Sequence, residues 1–241
     1  NLLPMTDNVS QNTYGFSRDL QAPVLEMMMR GILVNQNKKH KVIREMRGKL
    51  AVLEEQLASL VVEGVGVPMV NWRSPAQLNS LLYDVMGLPP VKKRNADGVF
   101  ARTSNRDAIE KLSGYFIAEP ICNHLLALRD LGKSIGFLET GIDPDGRMRS
   151  NLNIGGTNTG RLASSASDFG TGTNLQNVTA SLRSVFVADP GYKFANLDLE
   201  QADSRNVGAL CWNLLVNNGD WNERSAGAYL DACESGDLHT T

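Results

Sequence analysis

Residues 194–205 read FANLDLEQADSR, an apolar run from Phe194 to Leu199 that passes directly into a polar, helix-compatible stretch beginning at Gln201. Asp198 stands at the junction, with Glu200 and Asp203 close behind. A carboxylate there has two equally ready uses: it can cap the following helix, or it can offer a hard oxygen to a divalent cation such as magnesium. The choice turns on what lies upstream. Residues 157–178, TNTGRLASSASDFGTGTNLQNV, belong to a polar stretch from Asn151 to Ser181 without strand or helix periodicity. A connection of that length is functional or disordered rather than casual. Around these segments, Arg183–Val187 and Phe194–Leu199 read as two strands in hairpin arrangement about the turn DPGY (189–192), and Gln201–Leu215 reads as a helix. GIDPDGRMRSNLNI (141–154) carries a DPDG turn between short alternating runs and reads as a further hairpin.

Upstream of Gly141 the pattern is helical. Pro23 to about Val34 reads as a helix with Val24, Leu25, Met28 and Ile32 on it and Gly31 near its end. Ile43, Met46, Leu50, Leu53, Leu57 and Leu60 follow at spacings of three and four, a heptad seam that predicts a long helix against an antiparallel partner. In NWRSPAQLNSLLYDVMGLPP (71–90), Ser74 is placed to cap a helix with Pro75 at its first position, and Pro89 and Pro90 end it. A basic loop runs to about Arg102, TSNRDAIEKL (103–112) opens another capped helix, and Pro120 to about Phe137 forms the last long one. The fold class is therefore α+β: a lead-in at 1–22, a helical part at 23–140, and a mixed part at 141–241.

Composition is that of an ordinary globular protein: 241 residues, 42% hydrophobic, 24 Lys+Arg against 26 Asp+Glu. No apolar run reaches the roughly 18–20 residues of a membrane span, and NLLPMTDN lacks signal-peptide features, so the chain reads as soluble, cytoplasmic and without a membrane partner. Cys122, Cys211 and Cys233 lack metal-type spacing and read as buried free thiols. The charges are unevenly spread. Eight acids and two bases lie from Ala195 onward, which leaves 22 bases against 18 acids in the first 194 residues. Lys38–Lys49 and Lys92–Arg106 are dense in cations, which suits phosphate contacts or merely a solvated surface.

TNTGRL, NLQNV, RSVF, DPGY and DLEQADSRNVGAL, in that order, resemble the palm stretch of family A DNA polymerases, the DNA polymerase I class. MRGILVN (29–35), NWRSPAQLNSLLYDVMGLPPVKK (71–93) and the helix before GIDPDGRM resemble that family's thumb, and GDLHTT (236–241) its D-[IL]-H-T segment. The resemblance covers nearly everything after about Leu20. It implies a helical thumb with long antiparallel helices followed by part of a palm, and template-directed addition of dNTPs to a primer end by two-metal phosphoryl transfer. It makes Asp198 the first catalytic carboxylate, with the Leu199 backbone carbonyl as a further ligand to one of two Mg2+ ions. Gln201, Asp203 and His239 would meet the incoming nucleotide. Arg161, Asn174, Gln176, Asn177 and Thr157 would line the primer-template, with Arg161 testing pair geometry from the minor groove, where acceptors sit alike for every base pair. Lys92, Lys93 and Arg94, with Ser74 of the same subdomain, would contact the duplex, the basic residues on phosphates.

The sequence departs from the family pattern in three places. Asp203 stands where the family has a Glu that blocks the ribose 2′-hydroxyl, Leu199 replaces an aromatic, and Glu200 replaces a small residue. Neither the fingers motif nor the second catalytic Asp occurs in the 241 residues, which implies a second polypeptide or a further part of the protein carrying fingers and remaining palm. Two other readings stay open: a non-catalytic primer-template DNA-binding module, and an RNase-H-like nuclease suggested by Asp198-Leu199-Glu200 as a DxE pattern.

Overall fold

The structure, a computed structural model, describes residues 8–95, 98–168, 170–197, 202–213, 219 and 222–235. The chain divides into two compact units, Asn1–Tyr192 and Lys193–Thr241. Helix α1 spans Asn8–Arg30 and runs unbroken through Pro23, so it starts well before the expected Pro23 and crosses the expected boundary at 22/23. It ends at Gly31, whose φ of +58° turns the chain. A β-carbon on Gly31 would lie 2.8 Å from the Met148 carbonyl oxygen, so only glycine fits at this crossing. Ile32–Val34 then form strand β1, correcting the expectation that the helix continues to Val34.

Helix α2 (Gln36–Ser59) is capped by Asn35, whose side chain accepts from the Lys38 amide, and it continues as a wider π turn over Leu60–Val65. Its seam is as the heptad spacing predicts: Ile43 and Leu57 are buried, and Met46, Leu50, Leu53 and Leu60 are half-buried. Helix α3 (Pro75–Asn79) begins at Ser74, whose hydroxyl accepts from the Gln77 amide, and widens over Ser80–Val85. The expected basic loop is instead a hairpin, β2 (Lys92–Arg94) with β3 (Phe100–Arg102), in which Lys92 faces Arg102 and Arg94 faces Phe100. Helix α4 (Arg106–Leu112) is capped by Asn105 through the Ala108 amide. Helix α5 (Glu119–Glu139) packs on α2 in the antiparallel sense: Arg47 meets Glu139 at 2.6 Å at one end, while Leu57 and Val61 share a core with Ile121, Leu125 and Leu128 further along. Those residues are 0–3% exposed, so truncating any one leaves a cavity that costs about 2–5 kcal/mol.

The helical part is an insertion into a small sheet. Strand β4 (Arg147–Met148) pairs with β1, Ile32 opposite Met148, and β7 (Phe186–Val187) pairs with the other edge of β1, Val34 opposite Phe186. The sheet order is thus β4-β1-β7, all antiparallel, and the strands entering and leaving the helical part are neighbours. The DPDG turn forms as expected, with Gly146 at φ +79°, its amide on the Asp143 carbonyl and the Asp143 amide on the Arg147 carbonyl across the turn, and the strand after it pairs with β1. A second hairpin comes next, reaching into the stretch without periodicity: β5 (Ser150–Asn153) with β6 (Ala163–Ala166). Turns of 3-10 helix follow at Leu175–Asn177 and Arg183–Val185. Of the two strands expected at 183–187 and 194–199, the first supplies β7, which pairs with β1, and residues 193–197 carry no regular structure, while 198 and 199 lie outside the described residues.

The second unit contains α6 (Ala202–Cys211) and α7 (Glu223–Ser235), which cross at Gly208, against the sulfur of Cys233. Cys122 and Cys233 are buried and Cys211 is half-buried, all as free thiols. Among the described residues no helix is long and apolar enough to cross a membrane.

Candidate nucleic-acid interface

The polar stretch is organised around Arg149 and Ser150. Arg149 donates to Asp143 at 2.5 Å, to Asp145 at 2.6 Å and to the Met29 carbonyl at 2.7 Å, tying the end of α1 to the start of β5. Thr171 donates its hydroxyl to Asp143, and this contact with the Arg149 guanidinium holds the Asp143 carboxyl below its usual range. Arg149 does the same to Asp145, and its own pKa rises in return. Arg147 and Asp189 form a further ion pair, fastening the segment after β7 to β4.

The segment 172–177 is laid across this base. Gly172 (φ +68°) passes so close to Arg149 that a β-carbon would fall 1.9 Å from its carbonyl oxygen. Just beyond, the Ser150 hydroxyl donates to the Thr173 carbonyl at 2.7 Å and accepts from the Leu175 amide at 3.1 Å. Asn174 caps the short turn by accepting from the Gln176 amide at 2.9 Å. The Gln176 side chain donates to the Leu162 carbonyl at 2.9 Å, next to Arg161. Thr157 donates to the Arg161 carbonyl at 2.7 Å, closing the TNTGR turn, in which Gly160 has φ +75°. The two motifs TNTGRL and NLQNV, twelve residues apart in sequence, are therefore hydrogen-bonded into one surface, with Thr157, Arg161, Gln176 and Asn177 exposed. The Asn174 amide serves the local turn and the Gln176 amide joins the two motifs, so capping and presentation coexist here.

A groove of about 800 Å³ adjoins that surface, between α2, α5 and residues 173–182. Its apolar lining includes Met46, Leu53, Phe137 and Leu182, and its polar lining includes Lys49, Lys133, Asn174 and Asn177. In the basic run of α2, Lys38, Lys41, Arg44, Arg47 and Lys49 are exposed. Lys39 is buried, with its ammonium on the Thr140 carbonyl at 3.1 Å and its pKa lowered by burial, so it serves the helix pair rather than solvent. On the β2–β3 hairpin, Lys92, Lys93 and Arg94 are all exposed; the Arg94 guanidinium also donates to the Gly98 carbonyl at 3.0 Å. Arg102 opposite Lys92 is held by Asp84 at 2.5 Å. Ser74 is occupied as the cap of α3.

Asp198, Leu199, Gln201 and His239 lie outside the described residues. Asp203 sits exposed in the first turn of α6, an acid at the positive end of a helix dipole. Among the described residues no three His, Cys, Asp or Glu side chains converge as metal ligands. The residue that sequence reasoning missed is Ser150. Its signal was period-two alternation in RMRSN, where Met148 and Ser150 both point inward and are both buried.

Residues 36–213 match the family model for DNA polymerase family A. The chain belongs to that family. Similar curated proteins include the thermostable DNA polymerase I of Thermus thermophilus, 31% identical over 175 residues, covering 67% of this chain and 19% of the relative. That of Thermus aquaticus is 29% identical over 202 residues, 78% of this chain and 22% of the relative. The chain thus spans about a fifth of the length of these polymerases. Among solved structures, the POL domain of Pol1 from M. smegmatis, in complex with DNA primer-template and dNTP, superposes with a TM-score of 0.54 at 27% identity, over 70% of this chain and 29% of that one. The family A match takes in α2 to α6 and every motif from TNTGRL to the helix after Asp198, in keeping with the α+β fold.

Proposed function

We propose that this chain is the thumb-like and first palm portion of a DNA-directed DNA polymerase, with residues 23–140 as thumb and 141–241 as partial palm. The observation that carries the reading is the hydrogen-bonded union of TNTGRL with NLQNV through Gln176 and Leu162, beside a groove edged by Lys49 and Lys133. Duplex phosphates would meet those lysines and the Lys92–Arg94 hairpin, and Arg161 with the exposed amides would meet minor-groove acceptors common to all base pairs. The M. smegmatis relative with primer-template and dNTP supports these partners.

Asp198 and the Leu199 carbonyl are hard oxygen donors of the kind magnesium selects. Bound there with ligands from elsewhere, two Mg2+ ions would activate the primer hydroxyl and stabilise the leaving pyrophosphate. Gln201 and His239 would hold the incoming dNTP, and Asp203 would sit beside its sugar. One carboxylate motif cannot hold two metals, so fingers and the remaining palm must come from a second polypeptide or from further sequence of the same protein. Phe194 and Leu197, 62% and 92% exposed, are apolar side chains that such a segment would cover.

The test has two stages. The chain should bind primer-template duplex with a strong salt dependence, weakened at least severalfold by Arg161→Ala. Supplied with a candidate second half, it should extend a primer in magnesium and lose that activity with Asp198→Ala. Duplex binding without extension, indifferent to Asp198→Ala and to magnesium, would leave only the DNA-binding module. Absence of both sinks the polymerase reading, and release of mononucleotides by the chain alone would replace it with the nuclease. In the assembled enzyme, Asp203→Glu should change the ratio of deoxynucleotide to ribonucleotide incorporation; an unchanged ratio removes Asp203 from the sugar.

A further inference from the structure

Ser150 is 7% exposed and carries a hydroxyl with two bonds into one neighbouring segment, donating to the Thr173 carbonyl and accepting from the Leu175 amide. A serine hydroxyl offers one proton and two lone pairs, so this one serves residues on both sides of Asn174 at once. The segment it holds has few other anchors to the hairpin. Gly172 fixes where the chain crosses, its amide on the Gly141 carbonyl at 2.7 Å, and Gln176 reaches Leu162. Between these points, among the described residues, the Ser150 hydroxyl is what joins the backbone of 173–175 to β5 by hydrogen bonds. Strand β5 in turn pairs Leu152 with Ser164 and Asn153 with Ala163, just beyond Arg161 and Leu162.

We propose that Ser150 is a positioning residue, which sets the height of the Asn174–Asn177 turn against the Arg161 turn so that amides and guanidinium meet a duplex as one rigid face. The proposal rests on the primer-template reading above. Ser150 touches no nucleic acid itself. Its hydroxyl makes to 173 and 175 the kind of bonds that a strand ladder would otherwise supply. Removing it leaves the Leu175 amide and the Thr173 carbonyl without their partner, a loss that the turn can relieve only by moving toward solvent.

Three variants of the full chain test this. Ser150→Ala removes the hydroxyl. Ser150→Thr keeps it, and the added methyl has room because Ser150 borders clefts of about 480 and 320 Å³. The third combines Ser150→Ala with Arg161→Ala and is compared with Arg161→Ala alone. The local readout is hydrogen exchange: the Leu175 amide should lose protection in Ser150→Ala, keep it in Ser150→Thr, and the β5–β6 ladder should be unchanged in both. The functional readout is duplex affinity by fluorescence anisotropy at fixed salt. Ser150→Ala should weaken it about five- to tenfold, Ser150→Thr should restore it to within about twofold, and Arg161→Ala should cost less in the Ser150→Ala background than alone. A purely structural serine would lower thermal stability while the two affinity losses simply added. Unchanged Leu175 exchange overturns the brace, and unchanged or additive duplex affinity overturns its positioning role. If the unmodified chain binds no duplex, the primer-template reading fails first, and the exchange data still decide whether Ser150 sets the turn.

Discussion

Gly172→Ala probes the crossing on which the proposed interface stands. The new β-carbon would lie 1.9 Å from the Arg149 carbonyl oxygen and 2.9 Å from its carbonyl carbon, whereas ordinary contact begins near 3.4 Å. Both neighbours are backbone, so no rotamer change relieves the overlap and the two chains must part by roughly 1.5 Å in a packed region. Holding alanine at φ +68° costs about 1–2 kcal/mol and the forced displacement roughly another 1–3. Parting the chains also strains the Gly172–Gly141 bond and the two bonds of Ser150, whose net contributions are about 0.5–1.5 kcal/mol each. The expected loss is about 3–5 kcal/mol, a large share of the ~5–15 kcal/mol that stabilises a typical domain. Gly170→Ala is the control: φ is +73°, but nothing lies within 4 Å of the new carbon, so only the conformational 1–2 kcal/mol applies, again an approximate figure. Urea unfolding followed by circular dichroism, with midpoints compared at equal slope, separates the two. If both variants lose the same stability, the close crossing contributes nothing and the reasoning is wrong.

Three further outcomes follow from the geometry. Lys93→Gln, on the exposed β2–β3 hairpin, should weaken duplex binding uniformly across sequences and reduce the salt slope by about one, measured by titration at several salt concentrations; an unchanged slope removes the hairpin from the phosphate contacts. Because Asp143 and Asp145 are held below the usual carboxylate range by Thr171 and Arg149, they contribute stability that is present above about pH 4 and is lost as pH falls through their lower folded values. Arg149→Met should flatten that acid-side fall in the urea midpoint, and an equally steep fall in the variant would count against the network. Alkylation at mildly alkaline pH should label half-buried Cys211 first, since Cys122 is fully buried with its thiol pushed up to about 11 and Cys233 is buried against Gly208; mass mapping that finds Cys122 modified before unfolding would contradict the packing.

The helical half was legible because its signals are repetitive and local. The seam residues from Ile43 to Leu60 and the cap at Ser74 each specify structure within a few residues and are used as the sequence suggests, and the capped start expected in TSNRDAIEKL falls at Asn105. The mixed half was not, for an identifiable reason. Strands β5 and β6 read SNLN and ASSA, with almost no apolar alternation, and are held to each other by ladder bonds rather than by a buried face. Strand β1 is only three residues and merges with the helical pattern before it; what makes it a strand is the pairing of its two edges with residues far downstream. The residues of the proposed interface were visible through motif resemblance. Their mutual hydrogen bonding was not, because Gln176 and Leu162 meet only after the chain has crossed over Arg149.

The placement of β1 has a consequence for how the chain acquires its structure during synthesis. Val34 leaves the ribosome about 150 residues before its partner Phe186, which at roughly 5–20 residues per second is a delay on the order of 10–30 s. Helices α2 to α5 depend on contacts among themselves and can condense in that interval. Ile32, Leu33 and Val34 must wait with an unpaired edge, first for Met148 and then for Phe186. A nascent chain stalled between those two points would hold a finished helical insertion above a half-built sheet, the stage at which a chaperone has most to shield.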